Sequence, residues 1–502
     1  MGRINTNVQS LIAQRVLGQN QQSLTSSLER LSTGLRINSG KDDPAGLIAS
    51  NNLGAEIVGK NTAISNANRA DQVVNIAAGG LTEVSGLLTQ LQGLVTSSAS
   101  TSGISDSEKQ ANQLQIDSIL QTIDRISSST SFQGIKLLNG NFDFKTSGVN
   151  TGVSDFKINA AKFSGSQNVN VLVTGSAQQG GMFVSFGAAS IDTATGSQFT
   201  IEVGGSAGTR QLTFSSSTSL TNIAAAINSF TSITGVAAKT SGTGIRLDAT
   251  DFGSSNYVSL RVVNAGGITQ AGQQGIYDLQ TANTAAANTG TRQQFTAVTN
   301  TKTNKGKDLQ ATVNGVAATT NGKTARINTD FLDVEVTLTN TQSQTLGSVG
   351  TNAMTITGGG ASFQLGGNVD IAGKVSIGIQ SVAASKLGTS ALGYLSSLAS
   401  GQTNNVVSGN TDKAQQIVSA ALNQVSSLSG RLGAFQANTI GATVRSLGVA
   451  VENSTAAQSI IRDTDFATET AKLTRGQILV NASTNILGLS NQTPQSALQL
   501  LG

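Results

Sequence analysis

A leucine seam that stops at a capped proline constrains this chain more than any other feature. Leu17, Leu24, Leu28, Leu31 and Leu35 follow the three-four alternation of a helix face that needs a partner helix to cover it. The seam runs into Leu31-Ser-Thr-Gly-Leu-Arg-Ile-Asn-Ser-Gly-Lys-Asp-Asp-Pro-Ala-Gly46. There Asp43 can accept from free N–H groups, and Pro44 at a first helical position loses no bond the helix would have made. Gly34, Gly40 and Gly46 surround the turn, so one long helix is expected to end here and another to begin.

The spacing predicts a helix over residues 3 to 36, with Ile4, Val8, Leu11, Ile12 and Val16 extending the apolar stripe and Asn, Gln, Ser and Thr filling the rest. Covering each seam leucine contributes about 1.5 to 3 kcal/mol. Fixing each backbone residue costs about 1 to 2 kcal/mol, and the polar residues are mediocre helix formers. Alone, the segment should fray.

From Pro44 to about Ser100, Leu53, Lys60, Ala67, Val74, Leu81, Leu88 and Val95 stand seven apart. A helix of that length, about 75 Å at 1.5 Å per residue, needs lateral partners, and Gly79-Gly80 is where a kink is expected. A third helix over about 106 to 128 carries Ile116, Ile119, Ile123 and Ile126 on one face, which suggests an antiparallel bundle.

Beyond Phe132 the texture changes. Turn pairs such as Asn139-Gly140 separate short apolar runs, so strands begin. Alternating segments follow at Asn168 to Val173, Met182 to Phe186, Phe199 to Val203, Arg210 to Phe214, Gly244 to Leu247 and Val258 to Val263. One helix, Ser217 to Phe230, interrupts them. A second β-rich run covers Gln310 to Val316, Thr324 to Leu338 and Ala353 to Gly366. Helix returns near Asp412, where Ala421, Val425, Leu428, Leu432, Phe435, Thr439, Ala442, Ser446 and Val449 keep the four-three spacing. Phe466, Leu473, Val480 and Leu487 are again seven apart, with Pro494 expected to end that last helix.

The fold class is therefore multidomain: an all-α helical rod and coiled coil formed by both termini, with inserted β-rich (α+β) outer domains. Residues 1–40 and 456–502 are read as terminal coiled-coil segments, and 41–165 with 400–455 as the helical rod with a short β hairpin. Residues 166–275 are read as a β-rich outer domain with one helix, and 276–399 as a second β-rich outer region. Whether the insert is one domain or two stays open at this level.

Composition narrows the chemistry. Aromatics are 4% of 502 residues and Trp is absent, so the core must be aliphatic and spread along elongated elements. The net charge of +4 is diluted without a run of Lys or Arg, which speaks against nucleic acid as a partner. No stretch approaches a membrane span, and the N-terminus lacks the apolar region of a secretory signal. Cys and His are both absent, which removes disulfides, thiolate or histidine catalysis and the usual zinc ligands.

Lys41, Asp42 and Asp43 do not make a P-loop: Gly34 lies one residue too far back, and Asp follows the Lys where Ser or Thr should stand. A helix cap with a local salt bridge is the simpler reading. Arg462, Asp463 and Asp465 read as surface or intersubunit charge pairs, since no calcium-loop spacing follows them. No carboxylate pair stands in a glycosidase motif.

Four stretches carry a resemblance: Leu28-Glu-Arg-Leu-Ser-Thr-Gly-Leu-Arg-Ile-Asn-Ser-Gly-Lys-Asp-Asp-Pro-Ala-Gly46; Ile123-Asp-Arg-Ile-Ser127 with Phe132 to Asn139; Ile461-Arg-Asp-Thr-Asp-Phe-Ala-Thr-Glu469; and Asn491-Gln-Thr-Pro-Gln-Ser-Ala-Leu-Gln-Leu-Leu501. In these the chain resembles the bacterial flagellins, over roughly its first 145 and last 95 residues. Phe199 to Val263 is similar to the small β-α-β repeat, built around an Ile-Asn pair, of flagellins and filament-cap proteins.

The resemblance implies a structural subunit that self-assembles into the extracellular flagellar filament for swimming motility, without enzyme activity or cofactor. It implies export unfolded through a narrow channel, with the flagellar export apparatus, an export chaperone, and hook-junction and cap proteins as partners. O-linked glycans on the Ser- and Thr-rich insert are a further expectation. The self-assembly seam would comprise Leu24, Leu28, Leu31 and Leu35 with Phe466, Leu473, Val480 and Leu487. On residues alone an intramolecular coiled coil is the favoured reading; placement at both ends shifts it to intersubunit packing. Removing residues before about 36 or after about 456 should then give a monomer that cannot polymerise. A hook-filament junction protein, or a filament protein with an adhesive insert, are the competing readings.

Flagellins detected by the vertebrate Toll-like receptor present an Arg and a Glu on the long rod helix. Alignment of Leu81-Thr-Glu-Val84 places Leu88 and Leu94 on the apolar positions, Gln90 where the Arg stands and Gly93 where a Glu stands, with Gln115 on a further acidic position. Losing an Arg hot spot typically costs about 2 kcal/mol or more, so weak or absent receptor activation is expected.

Overall fold

The computed structural model describes residues 6–100, 103–163, 165–268, 274–279, 287–407 and 410–499, with the backbone alone for 287–291 and 493–499. Ile4 of the first stripe and Leu500-Leu501 of the closing motif lie outside them. The helices are α1 (Val8–Thr33), α2 (Pro44–Ser98), α3 (Asp106–Ser129), α4 (Leu220–Asn228), α5 (Thr231–Thr234), α6 (Asn340–Gln344), α7 (Thr411–Ala434), α8 (Gly441–Arg462) and α9 (Phe466–Gln499). Two units divide the chain. One takes Met1–Val74, Phe363–Lys374 and Leu432–Gly502; the other takes Asn75–Ser362 and Val375–Arg431.

In the second unit, α2 buries Leu81, Leu88 and Val95 completely, with Val84 and Leu91 equally buried between them. Asn112 Nδ2 of α3 donates to Ser98 Oγ (3.1 Å), and Thr96 Oγ1 bonds Gln415 Oε1 of α7 (3.3 Å). The C-terminal end of α2 thus meets the N-terminal ends of both other helices, and the antiparallel bundle is present. A reciprocal capping box between Ser105 and Glu108 starts α3. On α3 the fully buried stripe is Ile116, Leu120 and Ile123, with Ile119 and Ile126 half-buried beside it.

No break occurs at Gly79-Gly80, since α2 runs unbroken for 55 residues. Gly80 serves another purpose. A Cβ there would sit 2.7 Å from Leu138 Cδ1 and 3.0 Å from Thr130 Oγ1, so the missing side chain lets the following hairpin lie against the helix. That hairpin pairs Ser131–Phe132 with Ile135–Lys136 across a turn at Gln133 (φ 50°) and Gly134 (φ 82°). Asn139-Gly140, expected as the strand turn, instead bends the chain after it.

The β-rich part of this unit holds two hydrophobic cores. The first lies between a five-stranded and a four-stranded antiparallel sheet. In spatial order these are Val236–Ser241, Gly244–Phe252, Gln179–Ser185, Gly275–Leu279 and Ala287–Gln293, and Lys302–Lys305, Tyr257–Ala265, Gln198–Gly205 and Thr209–Ser215. Phe186, Phe199 and Phe295 form its centre, with ring centroids 5.1–5.5 Å apart. Helix α4 adds Leu220, Ile223 and Ile227. Asn228 then completes the Ile-Asn pair by bonding the edge of the neighbouring strand twice, as a strand would: Nδ2 donates to Ala238 O (2.9 Å) and Oδ1 accepts from Ala238 N (2.7 Å).

The second core gathers Phe144, Ile158, Val169, Val171 and Val173 with Val313, Val334 and Ile356, among others. Here Val153–Ala161 pairs with Leu332–Leu338, and Gln167–Val169 with Met354–Gly359. Two expectations are corrected. The division at 275 and 276 falls inside the first core, where Ile276 is wholly buried. Asn168 to Val173 is two strands in different sheets, because Asn170 N donates to Asn314 Oδ1 (2.7 Å) and so leaves the ladder between them.

Candidate functional site

The residues singled out at both ends lie in the first unit. Helix α1 begins at Asn7, whose side chain accepts from Ser10 N, and ends at Gly34 in the left-handed conformation (φ 74°). Leu35 lies beyond this cap, so it is not a helical seam residue. It forms a β-bridge with Asp463, while Arg36 N donates to Arg462 O (2.7 Å) and Thr464 N to Gly34 O (2.9 Å). The break between α1 and α2 is thus hydrogen-bonded to the break between α8 and α9.

Both breaks are closed by carboxylates. Asp43 Oδ1 accepts from Gly46 N (2.8 Å), with Pro44 as the first residue of α2. Asp42 accepts from Ser39 N and Oγ and from Asn38 N, and these bonds hold its carboxyl below the usual range, with Lys41 adding only a nearby charge. Asp465 caps α9 through Thr468 N, Thr468 Oγ1 and Ala467 N, and is likewise lowered. Asp463 Oδ2 accepts from Ser459 Oγ (2.6 Å). Asp463 and Asp465, expected in charge pairs, are hydrogen-bonding caps. Among the described residues no group of three or more metal-ligating side chains is found.

Helices α1 and α9 run antiparallel, and their shared seam repeats every seven residues. On α1 the inward positions are Ser10, Ala13, Leu17, Asn20, Leu24, Ser27 and Leu31; on α9 they are Glu469, Leu473, Gly476, Val480, Ser483, Leu487 and Ser490. Apolar and small or polar residues alternate along it. The polar ones pair across it: Ser27 Oγ donates to Glu469 Oε1, Asn20 Nδ2 to Ser483 Oγ and Ser10 Oγ to Asn491 Oδ1, each at 2.7 Å. Gly476 lies opposite Leu24, where a Cβ would sit 3.4 Å from Leu24 Cδ1. Burial pushes the Glu469 carboxyl up, but Ser27, Lys472 and the Arg30 charge outweigh it and leave the carboxyl below its ordinary value.

Pro494 does not end the last helix, which continues to Gln499. A proline cannot donate to the carbonyl four residues back. That carbonyl, Ser490 O, accepts instead from Asn7 Nδ2 at 2.7 Å. Nothing in the periodicity of α9 signals this rescue, because the donor comes from the other end of the chain.

The expected seam residues therefore separate. Leu24, Leu31, Leu473, Val480 and Leu487 lie on the intrachain seam. Leu28 (51% exposed) and Phe466 (58%) do not. On the side of α1 away from α9, Val8, Leu11, Ile12 and Val16 form a second apolar stripe, and α9 answers with Ile478, Leu479, Ile486 and Leu489. Sequence reasoning named the first stripe without separating it from the seam. The signal available was the strict seven-residue recurrence of Leu17, Leu24 and Leu31, which Val8, Leu11, Ile12 and Val16 do not share.

The receptor-equivalent positions are all in the second unit. Gln90, Gly93 and Gln115 are exposed and Leu94 is half-buried. Leu88 is fully buried and belongs to the helical core, so it cannot present a surface contact.

Comparisons with known proteins converge on one family. The bacterial flagellin N-terminal helical region matches residues 4–143, the bacterial flagellin C-terminal helical region 415–501, and the flagellin hook IN motif 198–251. The flagellin of Salmonella choleraesuis is 31% identical and that of Salmonella typhimurium 30% identical, each covering 99% of this chain and 99% of its own length. Flagellin B of Vibrio cholerae is 28% identical over the same shares. Among the described residues no helix is long and apolar enough to cross a membrane. The chain belongs to the bacterial flagellin family, and it is a self-assembling structural subunit of the flagellar filament and not an enzyme.

Proposed function

We propose that the α1/α9 pair is the part of the subunit that polymerisation completes, with the outward stripes Val8, Leu11, Ile12 and Val16 and Ile478, Leu479, Ile486 and Leu489 covered by neighbouring copies. The single observation that carries this is the two-sidedness of both helices: each buries a mixed polar and apolar seam against the other while a second set of large apolar side chains faces outward. Covering each such side chain contributes about 1.5 to 3 kcal/mol, and ordering on binding follows the same balance. Leu24, Leu31, Leu473, Val480 and Leu487 act within the subunit, and Leu28 and Phe466 between subunits.

The filament works outside the cell, with the export apparatus and its chaperone delivering the chain and hook-junction and cap proteins bounding the polymer. The terminal segments 1–40 and 456–502 make its centre and the helices of 41–165 and 400–455 its rod. The two β cores are the outer domains, each a site for O-linked glycans on its exposed Ser and Thr. Removal of residues 1–36 is the direct test. Electron microscopy should show no filaments and sedimentation a monomer; filaments at normal yield would refute the assignment.

Exposed Gln90, Gly93 and Gln115, in place of charged residues, support weak innate-receptor activation. A reporter-cell response equal to that of a strong agonist would overturn it.

A further inference from the structure

The four-three spacing that begins at Ala421 continues without interruption through Leu432, Phe435, Thr439, Ala442 and Ser446 to Val449, Asn453, Ala456 and Ile460. Its burial does not. Ala421, Val425, Leu428, Leu432 and Phe435 are buried, whereas Ala442, Ser446, Val449, Asn453, Ala456 and Ile460 are all exposed. Between the two groups the backbone forms a π-helical segment, Phe435–Ile440.

One extra residue in a turn advances everything after it by one position, about 100° around the axis. The inward face of α8 is accordingly a different set: Ile440 and Ser454 are buried and Val444, Leu447, Val451 and Gln458 half-buried. This inward face meets α2, since Lys60 Nζ donates to Ser454 Oγ (2.9 Å) and Gln458 Nε2 to Ser50 O (2.9 Å). The heptad stripe is left on the far side of α8, with Val449 59% and Ile460 81% exposed.

Helix α2 carries a counterpart. Ile48, Asn51, Ala55, Val58, Thr62 and Ser65 follow the same three-four spacing, and all are exposed, with Ile48 at 63% and Val58 at 66%. They lie on the side of α2 turned away from Lys60 and Ser50. The two stripes have nearly the same length, 18 residues on α2 and 19 on α8, or about 26 Å each at 1.5 Å per residue. Neither contains a charged residue, and both mix small side chains with branched ones. Such a stripe is the geometry that accepts another helix.

We propose that the α8 stripe of one subunit packs on the α2 stripe of the next copy of this chain, and that the π-helical segment exists to turn the α8 stripe outward. The occupant is a second copy because the chain self-assembles and supplies, on the opposite face of the same layer, a neutral stripe of matching period and length. Using two different surfaces makes the contact head-to-tail, so each added copy leaves a stripe open for another. The proposal rests on the filament-subunit reading and adds to it which helical faces meet.

The absence of native Cys makes the test clean. Full-length double variants pair Ala55→Cys or Val58→Cys with Val449→Cys or Ala456→Cys, and their filaments are oxidised and run under denaturing, non-reducing conditions. At least one of the four pairings should give a ladder continuing past dimer, and the single variants none. Closure within one subunit is excluded, because the stripes are on outer sides of two packed helices, roughly 20 Å apart, and a disulfide needs Cα atoms within about 7 Å. Intact filaments with no ladder from any pairing would overturn the proposal and leave the subunit reading standing. Dimers from Val449→Cys or Val58→Cys alone would overturn it too, since like surfaces would then be meeting.

Discussion

The α1/α9 pair and the β core around Phe199 handle the same apolar residue types in opposite ways. Around Phe199, the strands of two sheets send Met182, Val203, Ile245 and Leu260 inward to full burial, and Phe186 and Phe295 close over them. Between α1 and α9, serines, an asparagine and a glutamate occupy six of the fourteen inward positions, while Leu11, Ile12, Ile478 and Leu489 face out. The first region satisfies itself and needs no neighbour. The second is a fold in which internal pairing fixes two helices in register and leaves most of the burial to be supplied by assembly.

That contrast can be broken by crossing the substitutions. Leu489→Asp places a charge on the outward face of α9 and should abolish filaments seen by electron microscopy while leaving the thermal melt of the β cores unchanged. Phe199→Ala should do the reverse, lowering stability by about 3–5 kcal/mol in a denaturant melt while filaments still form. If either variant affected both readouts equally, the division of labour would be wrong.

A smaller effect sharpens the polar side of the comparison. Glu469 has a folded-state pKa below its ordinary 4.5, so its contribution is fully present above that value and is lost as the pH falls through the lowered one. Filaments should therefore depolymerise progressively more readily below about pH 4.5. The midpoint of an acid titration followed by light scattering should lose part of this dependence in Glu469→Gln.

Much of this was legible in the sequence, and the misses have physical causes. Periodicity found the long helices because a covered face must recur at the helical repeat, and Asp43-Pro44 marked a helix start because capping is local chemistry. The strands were found approximately for the same reason. The switch of sheets at Asn170 was not, since the donor's partner, Asn314, is 144 residues away. Gly79-Gly80 suggested a kink because backbone freedom is visible in sequence and a hairpin lying on Gly80 is not. Leu24 and Leu31 were not separated from the outward-facing Leu28 because two apolar faces on one helix blur into a single broad stripe that only packing resolves, and Leu35 lies past the Gly34 cap. The π-helical segment is invisible to periodicity, as the heptads pass through it unchanged.

The bond from Asn7 to Ser490 joins the two ends of the subunit at the one carbonyl that Pro494 cannot serve. The tail of α9 beyond that proline is thereby placed to report whether the opposite terminus has docked. A spin label or fluorophore placed near Gln499 would register docking of α1 as a change in local mobility, in real time and before any polymer is large enough to scatter light.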